Sequence, residues 1–275
     1  MTIDGKRIAE EIRRELEVRV RGVGKSASRR IRLAIIQAGE NEVSAKFIKQ
    51  KEKFASEAGI ETRIYNLPQG IFTNELRKKV AEVCHIKQND GVIIQLPLPK
   101  QINTQYILNG IILKKDVDVL SEKAMGKFLA GKGILPPVTG AVKEIFDRHK
   151  VEVKGKNIVI VGAGMLVGKP TAIWLINEGA TVTVLNEFTL EAKSYLLKAN
   201  IIVSGVGKPG IITEDMVREG AIVIDAGTSE QSGKLVGDVS PDVEKMASLF
   251  TPVPGGVGPI TVAMVFKNLL ELNRY

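Results

Sequence analysis

A single cysteine, Cys84, and two histidines, His85 and His149, stand in 275 residues. One thiol excludes an internal disulfide framework and a thiolate metal cluster, and it points to a reducing cytoplasm. The histidines have no ligand-like spacing and read as helix-end residues, so no metal is expected. Long apolar runs are also missing. None approaches the ~20 residues needed to span a bilayer, so no membrane partner is expected. The first residues, Met1-Thr-Ile-Asp-Gly-Lys-Arg7, run straight into a charged amphipathic segment without a signal-peptide pattern. No basic tail or aromatic stripe accompanies the net charge of +8. Lys and Arg are interspersed with Glu and Asp, so a solvated surface explains the charge better than nucleic acid does. A basic cleft that steers small polyanions is the milder functional reading.

What remains is an ordinary globular composition, long enough for two domains with proper cores. Asp4 is placed to cap a helix carrying Ile8, Ile12, Leu16 and Val20 on one face. Strands at Leu33–Gln37, Thr62–Leu67 and Gly91–Leu96 alternate with helices at Ser44–Ala58 and Asn74–Cys84. Beyond a turn-rich stretch, a helix through Val142, Ile145 and Phe146 opens a second alternating set. Its strands are Asn157–Val161, Thr181–Leu185, Ile201–Ser204 and Ile222–Asp225. Apolar strands between amphipathic helices predict parallel sheets covered on both faces. The expected fold class is α/β with two three-layer domains. Residues 1–137 form the first, to which a final helix at 260–275 returns, and residues 138–259 form a Rossmann-type dinucleotide-binding domain.

Three segments carry chemical information. Thr251-Pro-Val-Pro-Gly-Gly-Val-Gly-Pro259 holds three prolines and three glycines in nine residues. It predicts a fixed loop whose bare backbone can approach a flat ligand, or a rigid turn with none. The segment from Lys156 to Pro170 reads as a buried strand, a glycine turn and a helix start. Gly162 and Gly164 suit close approach to a pyrophosphate, and Gly168 comes one position later than in the common spacing. Pro170 suits a first helical turn. The cofactor-binding candidates are Gly162, Ala163, Gly164, Val167, Gly168, Glu187 and Thr228. Glu187 lies just past the second strand of that set, where a carboxylate accepts from a ribose 2′-hydroxyl and repels a 2′-phosphate. It also reads as an ordinary loop glutamate.

The third segment is the first set of strands and helices. Phe47 and Lys51 share a helix face. Taken alone, Lys51 is no different from its neighbours Lys46, Lys49 and Lys53. Gln95 ends an apolar strand before Pro97 and Pro99, and a polar amide there needs a hydrogen-bond partner or a cleft. Lys115-Asp-Val-Asp118 sets two carboxylates on one face of an extended stretch, with turn formation or helix capping as the plainer reading.

With these residues assembled, the chain resembles the methylenetetrahydrofolate dehydrogenase/cyclohydrolases almost end to end. The resemblance rests on Leu33-Ala34, Gly39 and Ser44, on Lys51 before Glu57-Ala-Gly-Ile60, and on Gly91-Val-Ile-Ile-Gln-Leu-Pro-Leu-Pro99. It continues through Lys115-Asp-Val-Asp118, Val167-Gly-Lys-Pro170, Ala180-Thr-Val-Thr183, Val206-Gly-Lys-Pro-Gly210, Gly237-Asp-Val239 and Thr251–Pro259. It implies that Lys51 is the catalytic lysine, Gln95 its partner and Asp118 the carboxylate that holds the pterin. Phe47, Pro254, Gly255, Gly256 and Val257 would contact the folate, in a cleft between the two domains. A homodimer through the cofactor domains is implied as well.

The sequence also departs from that family. Phe47 stands where a tyrosine is usual, which puts the cyclohydrolase activity in question and leaves a monofunctional dehydrogenase as the alternative. Val119 replaces a glycine, Ala124 an asparagine, and Leu135-Pro-Pro-Val138 a Pro-Cys-Thr-Pro segment. Ala163-Gly164 replaces Arg-Ser, and Asn186-Glu187 replaces His-Ser. The missing arginine and the added carboxylate favour NAD, whereas the resemblance implies NADP, with Lys169 or Lys193 as candidate compensators. A shikimate-type dehydrogenase, which also sets a lysine-bearing domain before a dinucleotide domain, is the more distant alternative.

Overall fold

The computed structural model describes residues 1–24, 30–39 and 41–274. The chain forms two compact bodies: Glu10–Pro137 with Val262–Tyr275, and Met1–Ala9 with Val138–Thr261.

The first body alternates as its apolar pattern predicts. Helix α1 (Gly5–Gly24) is followed by β1 (Arg32–Ala38), α2 (Glu42–Ala58), β2 (Glu61–Leu67), α3 (Thr73–His85) and β3 (Gly91–Ile94). The strands pair in parallel in the order β2-β1-β3. β1 and β3 are apolar on both faces because both faces are covered. On one face Ala34, Ile36, Val92 and Ile94 pack with Leu76 and Val80 of α3. The short helices α4 (Thr104–Leu108) and α5 (Glu122–Leu129) follow, each begun by a side chain that accepts from a backbone N–H, Asn103 and Ser121. Their brevity leaves little periodicity to read in a sequence.

The second body continues with α6 (Pro137–Arg148), β4 (Asn157–Val161), α7 (Gly168–Asn177), β5 (Thr181–Leu185), α8 (Ala192–Leu196), β6 (Ile201–Ser204) and β7 (Ile222–Asp225). A hairpin, β8 (Ser229–Gln231) and β9 (Lys234–Val236), precedes β10 (Leu249–Phe250) and α9 (Val257–Leu272). The main sheet is parallel in the order β10-β7-β6-β4-β5. From β4 the chain goes to β5 on one side and then crosses to β6 on the other, so the strand order reverses between β4 and β6.

The first residues differ from expectation. The sequence reading places 1–9 with the first domain, but they pack with Val138–Thr261. Ile3 N–H donates to the Phe250 carbonyl (2.8 Å) and Phe250 N–H to the Met1 carbonyl (2.9 Å), extending the sheet past β10. Asp4 caps α1 as expected, its carboxylate accepting from Arg7 N–H at 3.0 Å. Among the described residues, no helix is long and apolar enough to cross a membrane.

Candidate active site

Three sequence-predicted side chains of the first body are set around the carboxyl end of its sheet. The Gln95 N–H makes the last ladder bond of β3, 2.8 Å to the Ile36 carbonyl. Gln95 therefore leaves the sheet at the end where parallel α/β sheets bind ligands. Its side chain is buried and fixed at both ends. Nε2 donates to the Leu96 carbonyl (2.9 Å), and Oε1 accepts from Lys51 Nζ (2.9 Å).

Lys51 is delivered by α2. That helix starts at an Asn41 cap, which accepts from Ser44 N–H, and ends at Gly59 with φ 77°. Buried Ser44 donates its hydroxyl to the same Leu96 carbonyl at 3.3 Å. Helix and strand end are thus joined twice. Phe47 lies one turn before Lys51, half-buried on the same helix face.

The two carboxylates of Lys115–Asp118 have different fates. Asp116 is buried and closes the next turn, accepting from Leu120 N–H (3.3 Å) and Ser121 N–H (2.9 Å). Asp118 is half-buried and accepts no hydrogen bond among the described residues. Burial pushes its carboxyl up to about 6, opposed by the Lys51 charge and reinforced by Asp116. Burial likewise holds the Lys51 ammonium below the ordinary lysine range, with Asp118 pulling the other way. Both shifts mark charge withdrawn from water and incompletely compensated. The stretch is held by Asn268 of α9, which donates to the Val117 and Leu135 carbonyls, both at 2.9 Å. Val119 is buried with φ 58°, a left-handed backbone that a β-branched residue rarely adopts.

In the second body the β4–α7 turn carries the nucleotide candidates. Gly162 has φ 104°, and a Cβ on Gly168 would overlap the Gly162 carbonyl. Gly162 is thus required by its backbone angle and Gly168 by the closeness of the Gly162 carbonyl, the two standing one residue further apart than in the usual motif. The turn lies where the strand order reverses, and α7 begins at once behind it. Bare backbone followed by a helix N-terminus at a reversal of strand order fits a pyrophosphate-bearing dinucleotide. Ala163 and Val167 are half-buried and Gly164 exposed.

Glu187 is exposed in a turn closed by its neighbours: Asn186 Oδ1 accepts from Phe188 N–H, and Thr189 Oγ1 from Asn186 N–H, both at 3.0 Å. Lys193 is engaged with Asp215 at 2.5 Å. Thr228 is exposed between β7 and the hairpin.

The Pro-Gly loop is shorter than expected, because α9 begins at Val257 and takes in Gly258 and Pro259. Pro259 falls in the first turn, where an N–H has no helical acceptor. Part of the glycine content answers packing within the protein. Gly5 N–H donates to the Gly255 carbonyl (2.9 Å), and a Cβ on Gly5 would overlap the Gly256 carbonyl.

Two residues without an assigned role in the sequence reading stand out. Asp225 and Asp238 are buried carboxylates at the loop ends of β7 and the hairpin. Isolated aspartates at the ends of short strands produce no periodicity. A buried sheet ending in an acid was the one available signal. Among the described residues, no three His, Cys, Asp or Glu side chains come together as metal ligands would.

Comparison with known proteins identifies the family of the chain. Family models for tetrahydrofolate dehydrogenase/cyclohydrolase match the chain twice, the catalytic domain over residues 3–118 and the NAD(P)-binding domain over residues 136–275. The bifunctional protein FolD of a Sulfurihydrogenibium species is 40% identical over 276 residues, covering 99% of this chain and 97% of its own length. The crystal structure of the Campylobacter jejuni bifunctional enzyme FolD, methylenetetrahydrofolate dehydrogenase/cyclohydrolase, superposes with TM-score 0.95 at 37% identity, over 100% of this chain and 99% of that one. The Trypanosoma brucei dehydrogenase-cyclohydrolase, solved with NADP cofactor and an inhibitor, gives TM-score 0.95 at 33% identity, over 100% and 97%.

Proposed function

As the chain belongs to the tetrahydrofolate dehydrogenase/cyclohydrolase family, we propose that Lys51, Gln95 and Asp118 are the groups with which it works on folate. The enzyme oxidises 5,10-methylenetetrahydrofolate to the methenyl form with NAD(P) and hydrolyses that product to 10-formyltetrahydrofolate. The observation that carries the residue roles is the 2.9 Å bond from Lys51 Nζ to Gln95 Oε1, made by an amine whose pKa burial lowers.

In the substrate one carbon bridges two nitrogens. Loss of hydride from it leaves a cation that both nitrogens delocalise, so no proton has to leave carbon. The nicotinamide nucleotide, when bound, supplies the hydride acceptor. The chain's part in that step is to hold and orient the folate. Water attack and ring opening do move protons, and a lysine with a lowered pKa has a neutral fraction able to accept one. Gln95 aims that amine through a neutral amide, adding no charge that would hold the proton on it. Asp118, which accepts no bond within the described chain, is suited to the pterin amino and ring N–H donors. Phe47 offers a face for stacking.

Lys51→Met tests this. Ring opening of chemically prepared methenyltetrahydrofolate, followed by its absorbance, should fall by about 10²–10⁴-fold, while nucleotide reduction persists. Unchanged ring opening in that variant removes lysine from the mechanism. Phe47 lacks the hydroxyl expected at its position, and this favours a second reading, a dehydrogenase without efficient cyclohydrolase. Wild-type ring opening no faster than buffer would establish it.

For the nucleotide turn, Gly162, Ala163, Gly164, Val167 and Gly168 are assigned to the pyrophosphate region, with Glu187 at the ribose and Thr228 beyond β7. Glu187 is exposed and Lys193 is occupied by Asp215, which supports NAD over NADP. At the β5 edge, Val184, Phe188 and Leu190 are 39%, 81% and 83% exposed, apolar cover suited to a second copy of the chain. Sedimentation as a monomer would overturn that assembly.

A further inference from the structure

The Asp238 carboxylate is fully buried and accepts four hydrogen bonds. Oδ2 takes the Ser204 hydroxyl (2.7 Å) and the Val206 N–H (2.7 Å). Oδ1 takes the Gly207 N–H (2.9 Å) and the Lys208 N–H (2.8 Å). Three consecutive backbone donors thus curl around one side chain, which fixes the turn leaving β6. The clasp is closed tightly, since a Cβ on Gly227 would overlap the Asp238 carboxylate. The neighbouring Asp225 repeats the arrangement more loosely, accepting from Gly227 N–H and Val239 N–H at 2.9 Å each.

The turn that Asp238 shapes lies against the nucleotide turn. A Cβ on Gly162 would come within 3.0 Å of the Gly205 carbonyl oxygen and of Val206 Cγ2. A Cβ on Gly205 would overlap the Val167 side chain. β4 and β6 are also the two strands between which the strand order reverses, so the loops at their carboxyl ends form the walls of the crevice where such sheets bind nucleotides. One wall is glycine-rich and carries the pyrophosphate candidates. The other has no regular secondary structure of its own, and its backbone donors are satisfied by Asp238.

We infer that Asp238 is a positioning residue for the nicotinamide nucleotide: through the Val206–Lys208 backbone it sets the wall against which the Gly162–Gly168 turn rests. The inference relies on the assignment of that turn to NAD(P).

Asp238→Asn keeps shape and volume but replaces one acceptor with a donor. With the amide nitrogen at the Oδ2 position the Ser204 hydroxyl can reverse its role, but the Val206 N–H then faces another donor. In the opposite orientation two backbone donors lose their acceptor. The KM for the nucleotide should rise about tenfold or more. The KM for the folate and the rate of ring opening, which needs no hydride acceptor, should stay within about twofold on the same energy scale. A purely structural role would depress all of these together. Ser204→Ala, which leaves the three backbone donors in place, should raise the nucleotide KM alone by about two- to threefold, and it serves as the test should the Asn variant fail to fold. An unchanged nucleotide KM in the folded variants, or a parallel loss of both activities, overturns the inference. A wild-type protein that binds neither NAD nor NADP would instead overturn the nucleotide assignment on which it rests.

Discussion

Asp118 and Asp238 are both aspartates withdrawn from water, and they are treated in opposite ways. Asp238 accepts four hydrogen bonds, three of them from backbone. Asp118 accepts none among the described residues, and its carboxyl is pushed up to about 6. A buried carboxylate with a full set of donors is a structural anchor, whereas one left short of donors is available to bind something else. The two differ in burial, Asp118 being half-buried and Asp238 fully so, and they differ more sharply in the number of donors.

This contrast is most directly broken by removing the charge at Asp118. Asp118→Asn should raise the folate KM by about tenfold or more, because hydrogen bonds to a charged acceptor are worth about 1.5–3 kcal/mol. Its melting temperature should hold or rise, since no internal hydrogen bond is lost and the desolvation of a carboxylate that Lys51 only partly compensates is relieved. Asp238→Asn should do the reverse, lowering the melting temperature and sparing folate. If both variants melt alike, donor count is not what distinguishes the two sites.

A second test uses pH. The Asp118 carboxyl is raised from 3.8 to about 6, so within that window the folded protein holds a proton that the unfolded chain has released. Its contribution to stability is present below the window and is lost as pH rises through it. The stability of Asp118→Asn relative to wild type should therefore increase with pH across the window, and its folate KM should be flat where the wild-type value climbs on acidification. Parallel profiles in denaturant titrations would place the shifted group elsewhere.

A smaller effect is expected at Glu187, an exposed carboxylate. Glu187→Ser should improve the ratio of NADP to NAD use by about two- to fivefold, the scale of exposed charge interactions. An unchanged ratio makes Glu187 a bystander.

The smallest concerns the backbone beside Asp118. Val119 sits at φ 58°. Glycine there regains about 1–2 kcal/mol of left-handed strain, while losing about 1.5–3 kcal/mol of apolar burial. Val119→Gly should thus be no less stable than Val119→Ala, although it removes one more carbon. A clearly less stable glycine variant in thermal melts would mean the valine is not strained.

Much of the fold was legible in the residues because parallel strands covered on both faces are written as apolar runs between amphipathic helices. β4, β5, β6 and β7 fall on the expected bounds. What escaped was short. β10 has two residues, and it was concealed by the proline-rich loop that follows. The β8–β9 hairpin has too few apolar positions to alternate.

At the candidate site, Lys51 had no local mark to set it apart from Lys46, Lys49 and Lys53. It differs by facing Gln95, 44 positions along the chain, and only a resemblance spanning both segments pointed to that pairing. The Pro-Gly loop shows the converse. Its composition was legible at once, yet the glycine at 255 accepts from Gly5 and has φ 106°, needs that arise inside the protein.

The same contact links positions far apart in the chain. Because no side chain fits between residue 5 and the Gly256 carbonyl, neither partner can drift alone. A larger residue at the start of α1 survives only if the turn two hundred and fifty positions downstream gives way in the same lineage. Libraries that diversify one of the two should therefore diversify both.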